Sequence, residues 1–183
     1  MGLFDLEKHF AFYGAYHTNP FNIFIHMVFV WPIFFTGLML FHFIPMVFFP
    51  DFGLFFALMY ALFYLGMDKK AGLLAAVLCF LCYFGATALA SSLGYSLAWK
   101  VVLAGQLICW TFQFIGHGVF EKRAPALLDN LVQAFLMAPF FVLLEALQHF
   151  FGYEPYPGFH AKVKAMVDRE IKEWQEKKQK KSS

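Results

Sequence analysis

Long apolar runs separated by short polar joints set the pattern of this chain. The first run extends from Phe21 to about Phe43, the second from Phe52 to Gly66, and the third from Ala71 to Ala90. A fourth covers Leu97 to about Val119, and a fifth covers Leu131 to Phe151. The joints read IPMVFFPD, MDKK, SSLGYS and FEKRAPALLDN. A helix crosses a bilayer with roughly 20 mostly apolar residues, and lipid leaves the backbone few other choices. The pattern therefore predicts an all-α fold, a polytopic membrane helical bundle. The fifth run is unlike the others, because it carries Gln133, Pro139, Glu145, Gln148 and His149. After Gly158 the period changes again. Phe159, Val163, Met166, Val167, Ile171 and Trp174 recur at helical spacing with Lys and Glu between them, which predicts an amphipathic helix on the membrane surface. No internal repeat is visible.

Charge placement orients the bundle. Lys69 and Lys70 join the second and third runs, Lys122 and Arg123 join the fourth and fifth, and the stretch from His42 to Asp51 has neither Lys nor Arg. Basic residues in short loops stay on the cytosolic side. A cytosolic N-terminus meets all three facts, and the Lys-rich tail belongs on the same side. That parity predicts four spanning helices. The fifth segment is expected to be Pro-broken or re-entrant, turning back around Ala138–Pro139, or to lie at the interface. The expected division is a membrane-embedded domain over 1–157 and a basic amphipathic cytosolic tail over 158–183.

Composition agrees with lipid as the solvent. Hydrophobic residues make up 61% of the chain, 27 residues are Phe, and only 14% are charged, against roughly 25% in a soluble domain. The net charge of +2 by itself says little, and no nucleic-acid partner is expected. Cys79 and Cys82 form a C-x-x-C inside an apolar run and are expected to be small buried hydrophobes. The start MGLFDLEKHF resembles neither a cleavable signal nor a myristoylation signal, so the first apolar run is expected to act as an uncleaved insertion signal. Lys180 and Lys181 precede two final Ser, a placement similar to the dilysine retrieval signal of endoplasmic reticulum membrane proteins.

Imidazoles near membrane segments are costly and mark function. His9 and His160 lie in wetter flanks and are expected at the surface, and His42 is a boundary residue. His17 and His26 stand on either side of Thr18-Asn19-Pro20. On one continuous helix, nine residues turn through about 900° and the rings diverge. Asn19 is a good cap and Pro20 suits a first helical position, so a helix starts there and leaves His17 free to fold back. Asn22 and His26 share a face one turn apart. Gln113, His117 and Glu121 form a second stripe spaced by four, with Gly116 and Gly118 allowing close approach. In the expected topology the two clusters meet at one membrane face. Three imidazoles with a carboxylate suit zinc or ferrous iron. The same groups also serve as plain interhelical hydrogen bonds, and Glu121 as an ion-pair partner of Lys122 and Arg123. Glu145 and His149 either orient a ligand imidazole or form a separate pair. Asp129 and Asn130 are expected to cap the fifth segment.

YHTNPFNIFIH (Tyr16–His26), with Trp31-Pro32 after it, and QFIGHGVFEKRAPALLDNLVQAFLMAPFFVLLE (Gln113–Glu145) resemble the two signatures of the small membrane 2-hydroxy-acid dioxygenases. The likeness extends from about Phe4 to Tyr153. It implies a ferrous iron cofactor, Fe(2+), and 2-hydroxy fatty acid and dioxygen as substrates at the endoplasmic reticulum. The products would be an acid one carbon shorter and carbon dioxide, in phytosphingosine breakdown. It carries metal roles onto His17, His26 and His117; His149 is outside the pattern. Glu121 is a candidate fourth ligand, and Gln113 and Asn22 are candidates to bond substrate, oxygen or a ligand ring. Lys122 and Arg123 would attract the substrate carboxylate or serve topology alone. Two rivals stand beside this reading. A di-iron hydroxylase needs clustered His boxes that this chain lacks, and a scaffold or lipid-binding protein would use its His structurally. Oligomeric state is left open.

Overall fold

A computed structural model describes residues 2–125 and 130–182. Its regular structure is helical throughout: α1 (Leu6–Tyr16), α2 (Pro20–Phe41), α3 (Phe52–Met67), α4 (Lys69–Leu93), α5 (Tyr95–Ile115), α6 (Ala138–Phe151) and α7 (Phe159–Ser182). Two π-helical segments, Gly116–Glu121 and Gln133–Met137, extend α5 and precede α6.

Side-chain caps mark where the helices begin. Asn19 Oδ1 accepts from Phe21 N at 2.9 Å with Pro20 in the first turn, as the sequence predicts. Asp51 and Asp68 cap α3 and α4 by accepting from Leu54 N (2.9 Å) and Ala71 N (2.7 Å). Asn130 accepts from Gln133 N at 3.1 Å, as expected of a cap; Asp129, its proposed companion, lies outside the described residues. Gly94, at φ 67°, makes the reversal between α4 and α5 in a region that other residues disfavour.

Contacts fix the course of the bundle. His26 opens α2 at one end and His42 closes it at the other, where His42 meets Asp51 at the start of α3. The chain returns along α3 to Asp68, goes out along α4 to Ser91, beside His42, and comes back along α5 to His117. Four helices, α2 to α5, thus run between a histidine end and a far end. The α3–α4 hairpin closes tightly, since a Cβ on Gly72 would run into the Tyr64 carbonyl. Large apolar side chains such as Phe24, Leu81, Phe84 and Leu107 face outward, each about 60% exposed or more, so the outer surface suits lipid.

The fifth segment departs from expectation in one respect. The chain does not turn back at Ala138–Pro139. Pro139 lies where the π-helical segment passes into α6. It cannot donate to the preceding turn, whose Phe135 and Leu136 carbonyls accept instead from Tyr60 Oη and Tyr64 Oη (2.9 Å each), and the helix continues to Phe151. Length and hydropathy alone would let Gln133–Phe151 cross a membrane, while Phe52–Met67, with 16 residues, is shorter than the usual span. The hydrogen bonds decide otherwise. Gln133 bonds His9 of α1, and Tyr153 donates to Asp68 between α3 and α4 at 2.7 Å. Both ends of this segment are therefore fastened at the histidine end. Because α1 packs over it, His9 is buried rather than at the surface, held between Gly2 O (2.9 Å) and Gln133 Nε2 (2.8 Å). The start of α7 also differs from a helix lying only on lipid. Phe159 and Val163 are buried in the same core as Phe10, Tyr64 and Phe141. His160 is half-buried, bonded to Tyr153 O.

Candidate metal centre

His17 ends α1, His26 lies in the second turn of α2, and His117 lies in the π-helical end of α5. Their ring centroids are 4.2 Å (His17–His26), 4.8 Å (His17–His117) and 4.9 Å (His26–His117) apart. All three are buried, and one nitrogen from each falls within 4.8 Å of the others, close enough to hold one ion. The break at Thr18–Pro20 makes this possible, because it lets His17 turn back over the mouth of α2.

Two of the rings are oriented from behind. His17 Nδ1 bonds Tyr13 O at 2.8 Å and His26 Nδ1 bonds Asn22 O at 2.9 Å. A carbonyl only accepts, so each Nδ1 carries the proton and each Nε2 keeps its lone pair. His17 Nε2 and His117 Nδ1 are buried without a hydrogen-bond partner among the described residues. Burial, and then the neighbouring imidazoles of His26 and His117, hold the His17 pKa well below the ordinary 6.5. Neutral imidazoles with free lone pairs, facing one another in a buried site, fit a metal ion better than they fit one another.

Glu121 stands outside this cluster. Its carboxylate accepts from Thr18 N (2.9 Å), Thr18 Oγ1, Asn19 N (3.0 Å) and Asn22 Nδ2 (3.1 Å). It fastens the turn that carries His17 to the end of α5. Asn22 is fully buried, and its amide also reaches Tyr16 O at 3.4 Å. It does not line the cavity described below. Instead it fills the space beside Gly116, where an added Cβ would collide with Asn22 Oδ1. Arg123 is engaged too: it donates to Ala15 O at 2.6 Å and lies 3.7 Å over the Tyr16 ring and 5.0 Å over that of Trp174. Gln113 is 5% exposed and does line the cavity. His149 is exposed, and Glu145 borders a second hollow of about 440 Å³ that touches His17.

A cavity of about 560 Å³ begins at the three histidines and continues past Phe34 and Trp110 to Phe41 and Phe56 near the far end. Small-molecule sites typically fall between roughly 300 and 1,000 Å³. Sequence reasoning missed two residues here, Tyr13 and Gln133. Tyr13 lies one helical turn before His17, and that spacing was the available signal.

A membrane-exposed helical bundle with three buried histidines at the head of an apolar cavity defines a lipid-associated protein equipped to hold a metal. Residues 3–150 match the family described as 2-hydroxy-palmitic acid dioxygenase Mpo1-like, and the chain belongs to that family. The chain is 37% identical over 170 residues to the 2-hydroxy-palmitic acid dioxygenase MPO1 of Saccharomyces cerevisiae, covering 93% of this chain and 91% of that protein. No solved structure matches the chain.

Proposed function

We propose that the protein is an iron-dependent dioxygenase that shortens 2-hydroxy fatty acids by one carbon. The observation that carries this reading is the convergence of His17, His26 and His117 at the head of an apolar cavity. Family membership and the yeast relative support the reaction class. The overall change balances without a further reductant. A 2-hydroxy acid and dioxygen give the acid one carbon shorter, carbon dioxide and water, as the bond between carbons one and two breaks.

His17, His26 and His117 are the proposed ligands. Ferrous iron, when bound, supplies the electron-transfer chemistry that dioxygen needs to react with a closed-shell acid. The protein contributes the rest. Backbone carbonyls of Tyr13 and Asn22 hold two imidazoles in their ligating tautomer. Glu121 and Asn22 hold the His17 turn in place, and this bracing role replaces direct ligation and substrate contact for them. The apolar walls exclude water and take the alkyl chain, each buried methylene contributing about 0.8 kcal/mol. Apolar dioxygen enters the same environment readily. The proposed setting is the endoplasmic reticulum membrane with both termini cytosolic, so that substrate reaches the cavity from the bilayer.

The test is anaerobic reconstitution of the purified protein with ferrous iron, followed by oxygen and 2-hydroxypalmitate. Pentadecanoic acid and carbon dioxide are expected in equal amounts. Wild type that yields neither, or a His117→Ala variant that turns over undiminished, overturns the reading. Iron-free active protein would favour a structural role for the histidines.

A further inference from the structure

Most buried polar atoms in folded proteins have a partner, so a local group of exceptions calls for a reason. Two exceptions lie on the wall of the large cavity and outside the three histidines. Tyr13 Oη and Gln113 Nε2 are buried and have no hydrogen-bond partner among the described residues. Each residue is 5% exposed, and both line the cavity that His17, His26 and His117 head.

The tyrosine is not free to turn away. The Tyr13 ring stacks on His17 at 4.0 Å between centroids, with 18° between planes. Phe10 stacks beside it at 5.8 Å, and Phe141 closes in at 5.3 Å. The hydroxyl is thus held at the cavity wall next to a proposed ligand. Gln113, at the end of α5, lies one turn before His117 and is buried on the same cavity wall. An amide nitrogen only donates, and a tyrosine hydroxyl donates one proton. Two unmet donors beside a cation site call for acceptor oxygens carrying negative charge, and the apolar remainder of the cavity calls for an alkyl chain.

We propose that Tyr13 and Gln113 are substrate-positioning residues that donate hydrogen bonds to the carboxylate of the acyl chain in the cavity. This rests on the reading of the cavity as the 2-hydroxy acid site and names the group that recognises the acid. The carboxylate, held by both donors, fixes the bond between carbons one and two next to the histidines. Hydrogen bonds to a charged group are about twice as strong as neutral ones, so an acid is selected over an alcohol of equal length.

The test uses full-length protein in nanodiscs, loaded with ferrous iron and kept anaerobic so that nothing turns over. Quenching of tryptophan fluorescence reports binding, since Trp110 lines the cavity; empty nanodiscs give the partition reference. The probes are 2-hydroxypalmitate and 1,2-hexadecanediol, which keeps the chain and the hydroxyl but lacks the carboxylate. Tyr13→Phe preserves the stacked ring. It is expected to weaken binding of the acid about tenfold and of the diol less than twofold, with iron content unchanged. Gln113→Leu is expected to act in the same sense and decides the matter should Tyr13→Phe lose iron or fail to fold. Wild-type affinity for the acid in either intact variant, or equal losses for acid and diol, overturns the proposal. Failure of wild type to turn over, with acid binding still dependent on Tyr13, would remove the dioxygenase reading and leave this one standing. Turnover by wild type with acid binding indifferent to both residues would do the reverse.

Discussion

The two ends of the bundle both gather imidazoles, carboxylates and hydroxyls, and they treat them in opposite ways. At the far end His42 Nδ1 bonds Asp51 Oδ2 at 3.1 Å, Ser91 Oγ lies 3.1 Å from His42 Nε2, and Tyr83 donates to Asp51 at 3.3 Å. The order Ser–His–Asp matches that of a hydrolase relay, but Ser91 sits in the last turn of α4, where a helix presents carbonyls rather than amides. Such a position offers no donors to a developing oxyanion. The ring of contacts instead joins the ends of α2, α3 and α4, and each polar group finds a partner in it. At the histidine end, His17 Nε2, His117 Nδ1, Tyr13 Oη and Gln113 Nε2 are buried and unpartnered around one cavity. A satisfied polar cluster works as a clamp. A cluster with several buried groups left over around one cavity works as a site; the other such atoms, Asn22 Oδ1, Thr87 Oγ1 and Tyr156 Oη, belong to residues that do not line it. Residue type alone does not separate the two.

The contrast can be broken most directly with alanine at the histidines. His17→Ala, His26→Ala or His117→Ala should each remove at least about 100-fold of the activity and most of the bound iron, since even groups behind metal ligands cost 10–100-fold. His42→Ala should keep iron and activity within about threefold and lower the melting temperature. Iron by mass spectrometry, turnover and a thermal melt on the same samples would show it, and equal loss of iron at both ends would erase the distinction.

Glu121→Ala tests the brace behind the site. It leaves Thr18 N, Asn19 N and Asn22 Nδ2 without their acceptor. The expected cost is about 1–3 kcal/mol, with iron affinity reduced about tenfold or more. Gly116→Ala should act in the same direction, because its Cβ meets the buried Asn22 side chain. A chelator competition titration distinguishes weakened binding from lost ligation. The matching change at the far end, Asp51→Ala, removes a cap worth about 1 kcal/mol and should leave iron affinity unaltered.

Acidification gives a smaller, graded effect. His17 is held neutral well below 6.5, whereas the unfolded chain takes up its proton near that value. Below pH 6.5 the unfolded state therefore binds more protons than the folded one, and stability falls as pH falls toward the lowered value. In the folded protein, protons compete with a metal for the same nitrogen only as the pH nears that lowered value. The melting temperature of the metal-free protein should be flat above about pH 7 and decline from about pH 6.5 downward, less steeply in a His17→Ala variant.

Much of this architecture is legible along the chain. Hydrophobic runs, broken by capped polar joints, set the number and order of helices from α2 onward; α1 (Leu6–Tyr16) is too short to show as such a run. Loop lysines set the shared side of Lys69 and Lys122. The Asn19-Pro20 start and the spacing of Gln113, His117 and Glu121 placed two clusters at one face before any contact was known. The role of Glu121 was not legible, because a carboxylate four residues from a histidine has the same spacing whether it ligates or braces. The burial of His9 was missed for a related reason: its wet-looking flank meets Gln133, in the π-helical segment before α6, 124 residues away in sequence.

Local rules determined what is local here: where helices begin, which faces are apolar, and which histidines share a stripe. These follow from backbone geometry and from the cost of polar groups in lipid, both of which act over a few residues. The tertiary structure alone decided which buried nitrogens and hydroxyls would find partners and which would be left facing the cavity. It also brought both ends of the fifth segment to one end of the bundle. Those outcomes depend on contacts between distant elements, whose packing no short-range pattern encodes.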